Sequence, residues 1–368
     1  MIDRRFLEHF DWWLLFLTTV IAAMGLVALY SAVHAGAGTG QSAVFAKQLI
    51  WYGTGLLVMV FAFVFNYKSY ERWAHLCYIL CLLLLVAVLI FGKYVGGSRR
   101  WLHLGPFSIQ PSEMVKLAVI IVLAKYYARV SISRGVDLRE LVTPVVLTAI
   151  PCALIMSQPD LGTAMVVVLI AGSMTLYVKI KRGTLICLVA GCAATIPMVW
   201  MVLKGYQKQR ILTFFNPERD PLGAGYHIIQ SKIAIGSGMY SGKGFLKGTQ
   251  NALDFLPEQH TDFIFSVLAE EWGLLGAMTL LLVFLLLITW GLRIAQHSRD
   301  AFGTVLAVGV TAMIAWQVFI NVGMVMGLMP VVGVTLPFIS YGGSSVITMM
   351  AGIGLLFNVS MRRFMFEP

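Results

Sequence analysis

Ten apolar runs divide this chain, and their length limits what it can fold into more than any other feature. They fall at about 12–33, 48–65, 73–91, 111–128, 141–157, 161–178, 184–203, 263–291, 302–328 and 344–360. A helix needs about 20 mostly apolar residues to cross a bilayer. In lipid, every backbone polar group must be satisfied within the protein, so only helices and closed barrels can span. The short alternating segments and polar turns of an outer-membrane barrel are absent from the pattern. The expectation is an all-α polytopic membrane protein: one domain over residues 1–368, a bundle of about ten transmembrane helices, and one large outer loop over about 204–262 holding short interfacial helices. Charged residues are 12 % of the 368 and hydrophobic ones 59 %, whereas a soluble domain carries about a quarter charged. The fifth and sixth runs are separated only by Gln158, Pro159 and Asp160, so either two full spans or one broken re-entrant unit fits there.

The net charge of +10 would suggest nucleic acid in a soluble chain. Here Lys and Arg sit in short loops between spans, so the matching anions are lipid headgroups and lipid-linked phosphates, and no nucleic-acid partner is expected. With the N-terminus inside, the short inner segments hold Arg4, Arg5, Lys68, Arg72, Lys125, Arg129, Arg134, Arg139, Lys179, Lys181, Arg182, Arg293, Arg299, Arg362 and Arg363. That bias puts both termini in the cytoplasm. Most of the other basic residues gather on the outer side, around Lys93–Lys116 and in the Lys204–Asp262 segment. A negative partner at the outer membrane surface would account for them. The five cysteines all lie in apolar runs and read as buried thiols. The first run has no small-residue cleavage site in a polar setting after it, and reads as a retained span.

Asp262 stands where the large outer segment meets the eighth run, in His260-Thr261-Asp262-Phe263. An ionisable group at that depth is costly and marks a candidate functional site; a helix-terminal Asp facing free N–H groups is the plainer alternative. Gln110-Pro111-Ser112-Glu113 opens a helix, and Glu113 and Lys116 share a face at i,i+3, so they can pair at the membrane boundary. Arg99 and Arg100 precede Trp101; they fit either an inward anion site or snorkelling beside an aromatic anchor. Within the outer segment, Ile228, Ile229, Lys232, Ile233 and Ile235 predict a short helix with an apolar face, lying in the interface. The Gly236–Gly248 stretch, with Lys243 and Lys247, is a weak candidate phosphate cradle. Ser340-Tyr341-Gly342-Gly343-Ser344 is either a tight turn or a substrate-lining loop. There is no H-E-x-x-H, paired C-x-x-C, G-x-S-x-G or Walker loop.

Together, Gln110–Glu113, Gln158–Thr163, Pro257–Phe265 and Ser340–Ser344 resemble the SEDS family (shape, elongation, division and sporulation) over about residues 12–363. Gln230–Gly238 and the short termini favour its elongation branch over its division branch; Met239 departs from an expected glycine. The resemblance implies a ten-helix glycosyltransferase of the inner membrane that polymerises lipid II on the outer face, with a class B penicillin-binding protein as partner. It implies Asp262 as the catalytic residue, which we read as the general base. Arg210, Lys116, Arg99, Arg100 and Lys47, in falling order, are the candidate cations for the pyrophosphate. Glu113, Asp160 and Ser344, from the matching motifs, complete the substrate-binding set. No metal ligands are assigned, and a divalent cation, Mg or Mn, is left open as a cofactor. The rival class is a lipid II flippase, which a broken helix pair and intramembrane charges would also suit.

Overall fold

The computed structural model describes residues 10–35, 42–95, 98–104, 107–130, 135–202, 205–216, 224–253, 255 and 259–362. Arg4, Arg5, Arg134, Lys204, Leu256–Glu258 and Arg363 lie outside them, as do the side chains of Arg210 and Cys192. The long helices are α1 (Trp12–His34), α2 (Ser42–Val64), α3 (Tyr67–Phe91), α4 (Pro111–Arg129), α5 (Val142–Ser157), α6 (Leu161–Tyr177) and α7 (Arg182–Val202). After α8 (Gly205–Phe215), α9 (Ala224–Ser237) and the single turn α10 (Thr249–Ala252) come α11 (Ile264–Gln296), α12 (Ala301–Val325) and α13 (Gly343–Arg362). The protein is an all-α, multi-pass membrane bundle, and the ten expected spans correspond to α1–α7 and α11–α13. Six of the described helices are long and apolar enough to cross a bilayer by themselves. Large side chains such as Leu57, Phe61, Leu83, Ile90 and Leu275 point outward, as a lipid-facing surface requires.

α4, α12 and α13 form the centre. Their side chains are buried on nearly all sides, including Val119, Ile120, Val122 and Leu123 of α4 and Ile353, Leu356 and Phe357 of α13. α13 packs along α2, where Asn358 donates to the carbonyl of Ala62 at 2.8 Å. α5 and α6 form a closed helical hairpin. Cys152 Sγ reaches the carbonyl of Ala164 at 3.7 Å near the Gln158–Asp160 turn, and Val136 bridges Lys179 and Lys181 at the far end. The two helices, 16 and 17 residues long, pack side by side as an antiparallel pair.

Two local expectations are corrected, and the segment before α4, for which none was set, forms strands. The segment before α4 is a small antiparallel meander, β1 (Lys93–Val95), β2 (Ser98–Leu104) and β3 (Phe107–Ile109), in order β1-β2-β3. The short helix exists as α9, but its inward face is Ile228, Ser231 and Ala234, while Ile233 is exposed. Cys187 faces outward from α7, while Cys152 is buried.

The eighth run is broken. Inside α11, Gly273 adopts φ 64° and ψ −162°, a conformation closed to most L-residues. The loop after α9 repairs the break: Leu274 N donates to Met239 O at 2.8 Å and Leu275 N to Tyr240 O at 3.1 Å. In the other direction, Lys243 N and Gly244 N each donate at 3.0 Å, to Glu270 O and Glu271 O. The break sets the level of everything before it. Gly291 packs against Thr311 of α12, and Asn321 of the same helix meets the backbone of Asp262. From Thr311 to Asn321 a helix rises about 15 Å, whereas an unbroken helix from Gly291 to Asp262 would run about 43 Å. Gly273 therefore turns the first part of α11 back across the bundle, bringing Asp262 level with the end of α12.

Candidate active site

Asp262 lies in the turn before α11, half-buried, one residue ahead of the N-cap position Phe263. Two distant segments hold that turn. Asn321, fully buried on α12, donates through Nδ2 to Asp262 O at 2.9 Å and to Val334 O at 2.8 Å. Ser340 Oγ donates to Thr261 O at 2.6 Å and accepts from Leu336 N at 2.8 Å. Tyr341 N donates to His260 O at 2.9 Å. Burial pushes the Tyr341 phenol above its ordinary range, so it stays neutral in working conditions. The Ser340–Ser344 loop is thus a clamp on the Asp262 turn. It is itself held from α2, where buried Gln48 donates to Ser340 O at 3.3 Å and accepts from Gly342 N at 3.2 Å.

The carboxylate lies beside Gly333, which borders a polar recess. A Cβ built on Gly333 would stand 3.3 Å from Asp262 Oδ2, and Gly333, at φ 73°, lines a cavity of about 30 Å³. Gln110, Glu113, Lys116, Thr163 and Thr335 line the same cavity. Lys116 Nζ and Glu113 Oε2 are 2.8 Å apart with both side chains almost wholly buried, the pairing that the i,i+3 spacing allows. The α4 ion pair and the Asp262 turn therefore both border Gly333.

Asp160 sits beside this group and is 1 % exposed. Its Oδ1 caps α6 through Thr163 N at 3.1 Å, and its Oδ2 accepts from Thr163 Oγ1 at 2.9 Å and Gln110 Nε2 at 3.3 Å. Arg100 reaches it with Nη1 at 3.8 Å and donates through Nη2 to Pro159 O. Strand geometry separates the two arginines, because neighbours on β2 point to opposite faces. Arg100 turns inward to Asp160, and Arg99 is exposed. Ser344 Oγ accepts from Gln110 N at 2.9 Å, so it joins the start of α4 to α13. Lys47 is exposed on α2, one residue from inward-facing Gln48. Arg210 is on α8, with its side chain outside the described residues.

The glycine-rich stretch is not a phosphate cradle, since its N–H groups at 243 and 244 close the break in α11. Lys243 is committed as well: its Nζ lies 2.6 Å from Glu270 Oε1, which also accepts from Thr249 N at 2.9 Å and Gln250 N at 3.1 Å. Glu271, also buried, accepts from Ser31 Oγ on α1. These two glutamates fasten the outer loop to the broken helix. Two adjacent acids inside an apolar run were a signal present in the sequence. Gln48 and Asn321 were likewise visible as polar residues within apolar runs.

Among the described residues no group of three or more His, Cys, Asp or Glu gathers as a metal-ligand set. A larger cavity of about 530 Å³ lies between α5, α6 and α7, but its lining from Leu141 to Leu188 includes no carboxylate or cation for this chemistry.

A model of the FtsW/RodA/SpoVE family, described as cell cycle protein, matches residues 11–364. The chain is 44 % identical over 353 residues to peptidoglycan glycosyltransferase MrdB of Escherichia coli strain K12, covering 94 % of each chain. A solved chain from work on the coordination of polymerization and crosslinking by a peptidoglycan synthase complex superposes with a TM-score of 0.80 at 33 % identity, covering 96 % of this chain and 98 % of the other. The crystal structure of Thermus thermophilus rod shape determining protein RodA matches with a TM-score of 0.72 at 30 % identity over the same shares.

Proposed function

The chain belongs to the FtsW/RodA/SpoVE family and is a peptidoglycan glycosyltransferase; from that premise we propose that it polymerises lipid II at the recess below Asp262. The observation that carries this is the meeting of base and cation: Gly333, against which the Asp262 carboxylate rests, lines the same cavity as Lys116 and Glu113. The C4 hydroxyl of the acceptor glucosamine attacks C1 of the donor muramic residue. The C4 O–H proton passes to Asp262, the new C1–O bond forms, and the C1–O bond to undecaprenyl pyrophosphate breaks with its electron pair leaving on the pyrophosphate. Attack opposite the leaving group inverts C1, giving a β-1,4 linkage from an α-linked donor. A positioned base contributes about 10²–10⁴-fold.

Lys116 and Arg100 are the cations best directed to the leaving pyrophosphate, since both point inward beside the recess. Charge developing there is stabilised in a site screened from water. Arg99 and Lys47, both exposed, serve approach to the membrane surface, and Arg210, on α8, stays among the cations for the pyrophosphate. Asp160 acts through Arg100, and Ser344 through Gln110. The family and its peptidoglycan glycosyltransferase relatives favour the enzyme over the transport alternative. The same proposal places the site on the outer face of the inner membrane, with both termini cytoplasmic and a class B penicillin-binding protein as crosslinking partner.

The test is polymerisation of labelled lipid II by the purified protein with its partner. Asp262→Asn and Asp262→Ala should insert and melt normally and make no glycan. Near-normal polymer from either variant would refute the assignment.

A further inference from the structure

We propose that Asn321 is a positioning residue for glycosyl transfer, fixing Asp262 over the recess through its backbone; the inference rests on Asp262 being the base. One amide nitrogen joins the two strips of chain that build the site. Its two hydrogens go to Asp262 O at 2.9 Å and Val334 O at 2.8 Å. Val334 is also part of the cavity wall, next to Gly333, against which the carboxylate rests. The bridge therefore sets the separation of the base from the wall where the acceptor hydroxyl must lie. Asn321 is itself packed in on all sides: it is 0 % exposed, in the penultimate turn of α12.

The residue type follows from this task. A planar NH₂ offers two donors from one atom, and among side chains of this size only asparagine does so. An ionised aspartate donates nothing, leucine has the volume without the polarity, and glutamine is one methylene too long. Without the bridge, the Asp262 turn is still held by Ser340 and Tyr341 at its two preceding residues. The expected result is a displaced base in a folded protein, not loss of the site. A base must come within about 2.6–3.2 Å of the proton it takes, and a displacement of about 1 Å can cost about 10²-fold in rate.

The experiment uses the full chain with its partner and a fluorescent lipid II analogue, measuring binding at saturation and single-turnover rate for Asn321→Ser, Asn321→Leu and Asp262→Glu. Asn321→Ser places its hydroxyl about 1 Å short of both carbonyls, out of hydrogen-bond range, so it loses the bridge without adding apolar bulk and should fall with Asn321→Leu. Positioning predicts full binding capacity, an affinity within about threefold and a rate lowered about 10²-fold in Asn321→Leu. A merely structural role would lower binding capacity and activity together, with the rate per binding-competent molecule unchanged. That result would overturn the proposal. Combining Asn321→Ser with Asp262→Glu makes a second check, because both act on the same distance. The double loss should be far from the product of the single losses, and multiplicative losses would also overturn it. Should Asp262→Asn keep its activity, the base assignment itself fails, an outcome separate from either pattern at Asn321.

Discussion

Removing the charge of Lys116 separates folding from chemistry only if Glu113 is neutralised with it. Their atoms are 2.8 Å apart, and their side chains are 3 % and 8 % exposed. At an effective dielectric of about 20, this distance gives roughly 6 kcal/mol of gross attraction. Desolvating two ions costs several kcal/mol each, so the intact pair contributes about nothing net. Breaking it is another matter. Lys116→Met leaves a carboxylate stranded between α4 and the recess, at a cost of about 3–5 kcal/mol. The double variant Glu113→Gln/Lys116→Met removes both charges and should return to near wild-type stability. Thermal unfolding in detergent, followed by tryptophan fluorescence, should therefore rank the single variant well below the double. Lipid II polymerisation then reads the chemistry. If Lys116 faces the leaving pyrophosphate, the double variant stays folded and turns over about 10²–10³-fold slower, the usual loss for one transition-state donor. Full turnover by the stable double variant would reduce the pair to a structural ion pair. Equal stability of the single variant would refute the electrostatic reasoning itself.

Gly333→Ala adds a methyl group 3.3 Å from Asp262 Oδ2 at a φ of 73°; about 1–2 kcal/mol of backbone strain and a shifted carboxylate should lower kcat in the polymerisation assay while the protein still accumulates in membranes. Arg100→Gln should raise the KM for lipid II more than Arg99→Gln, because only Arg100 points to Asp160 and the recess; equal effects in steady-state kinetics would remove the inward arginine from the account. In a Cys187→Ser background, a cysteine at Ser241 should react with a membrane-impermeant thiol reagent in intact spheroplasts and one at Ser298 should not. The opposite pattern would put Asp262 on the cytoplasmic side.

Hydropathy alone makes the ten spans legible, since lipid leaves a long apolar run few choices besides a helix. The α4 ion pair is legible for a similar reason, because i,i+3 neighbours on a helix must be close. Arg99 and Arg100 show where that reasoning stops. Their two readings differ only in which way each side chain points, and that depends on a three-stranded meander whose apolar alternation is too short to announce itself. The break in α11 is hidden differently. Gly273 lies just after Glu270 and Glu271 in an otherwise apolar run, and its positive φ is tolerated only because loop residues from Met239 to Gly244 take up the groups it releases.

That dependence explains why the Asp262 motif marks the base but not its setting. The residues that hold its turn come from 59 and 79 positions further along the chain. They meet it only because the break at Gly273 brings the turn level with the end of α12. Each support is a polar side chain within an otherwise apolar stretch: Asn321 on α12, Gln48 on α2 and Ser340 in the last outer loop. A polar residue in such a stretch gains strongly from a partner, since an unpaired amide in an apolar interior costs about 2–7 kcal/mol. Their presence in the sequence shows that contacts exist without showing with what. The partners turn out to be mostly backbone carbonyls and N–H groups of the loops that form the recess, and backbone groups leave no mark in the residue types of those loops. A search for partners among residue types therefore finds the Glu113–Lys116 pair and passes over the supports that hold the base.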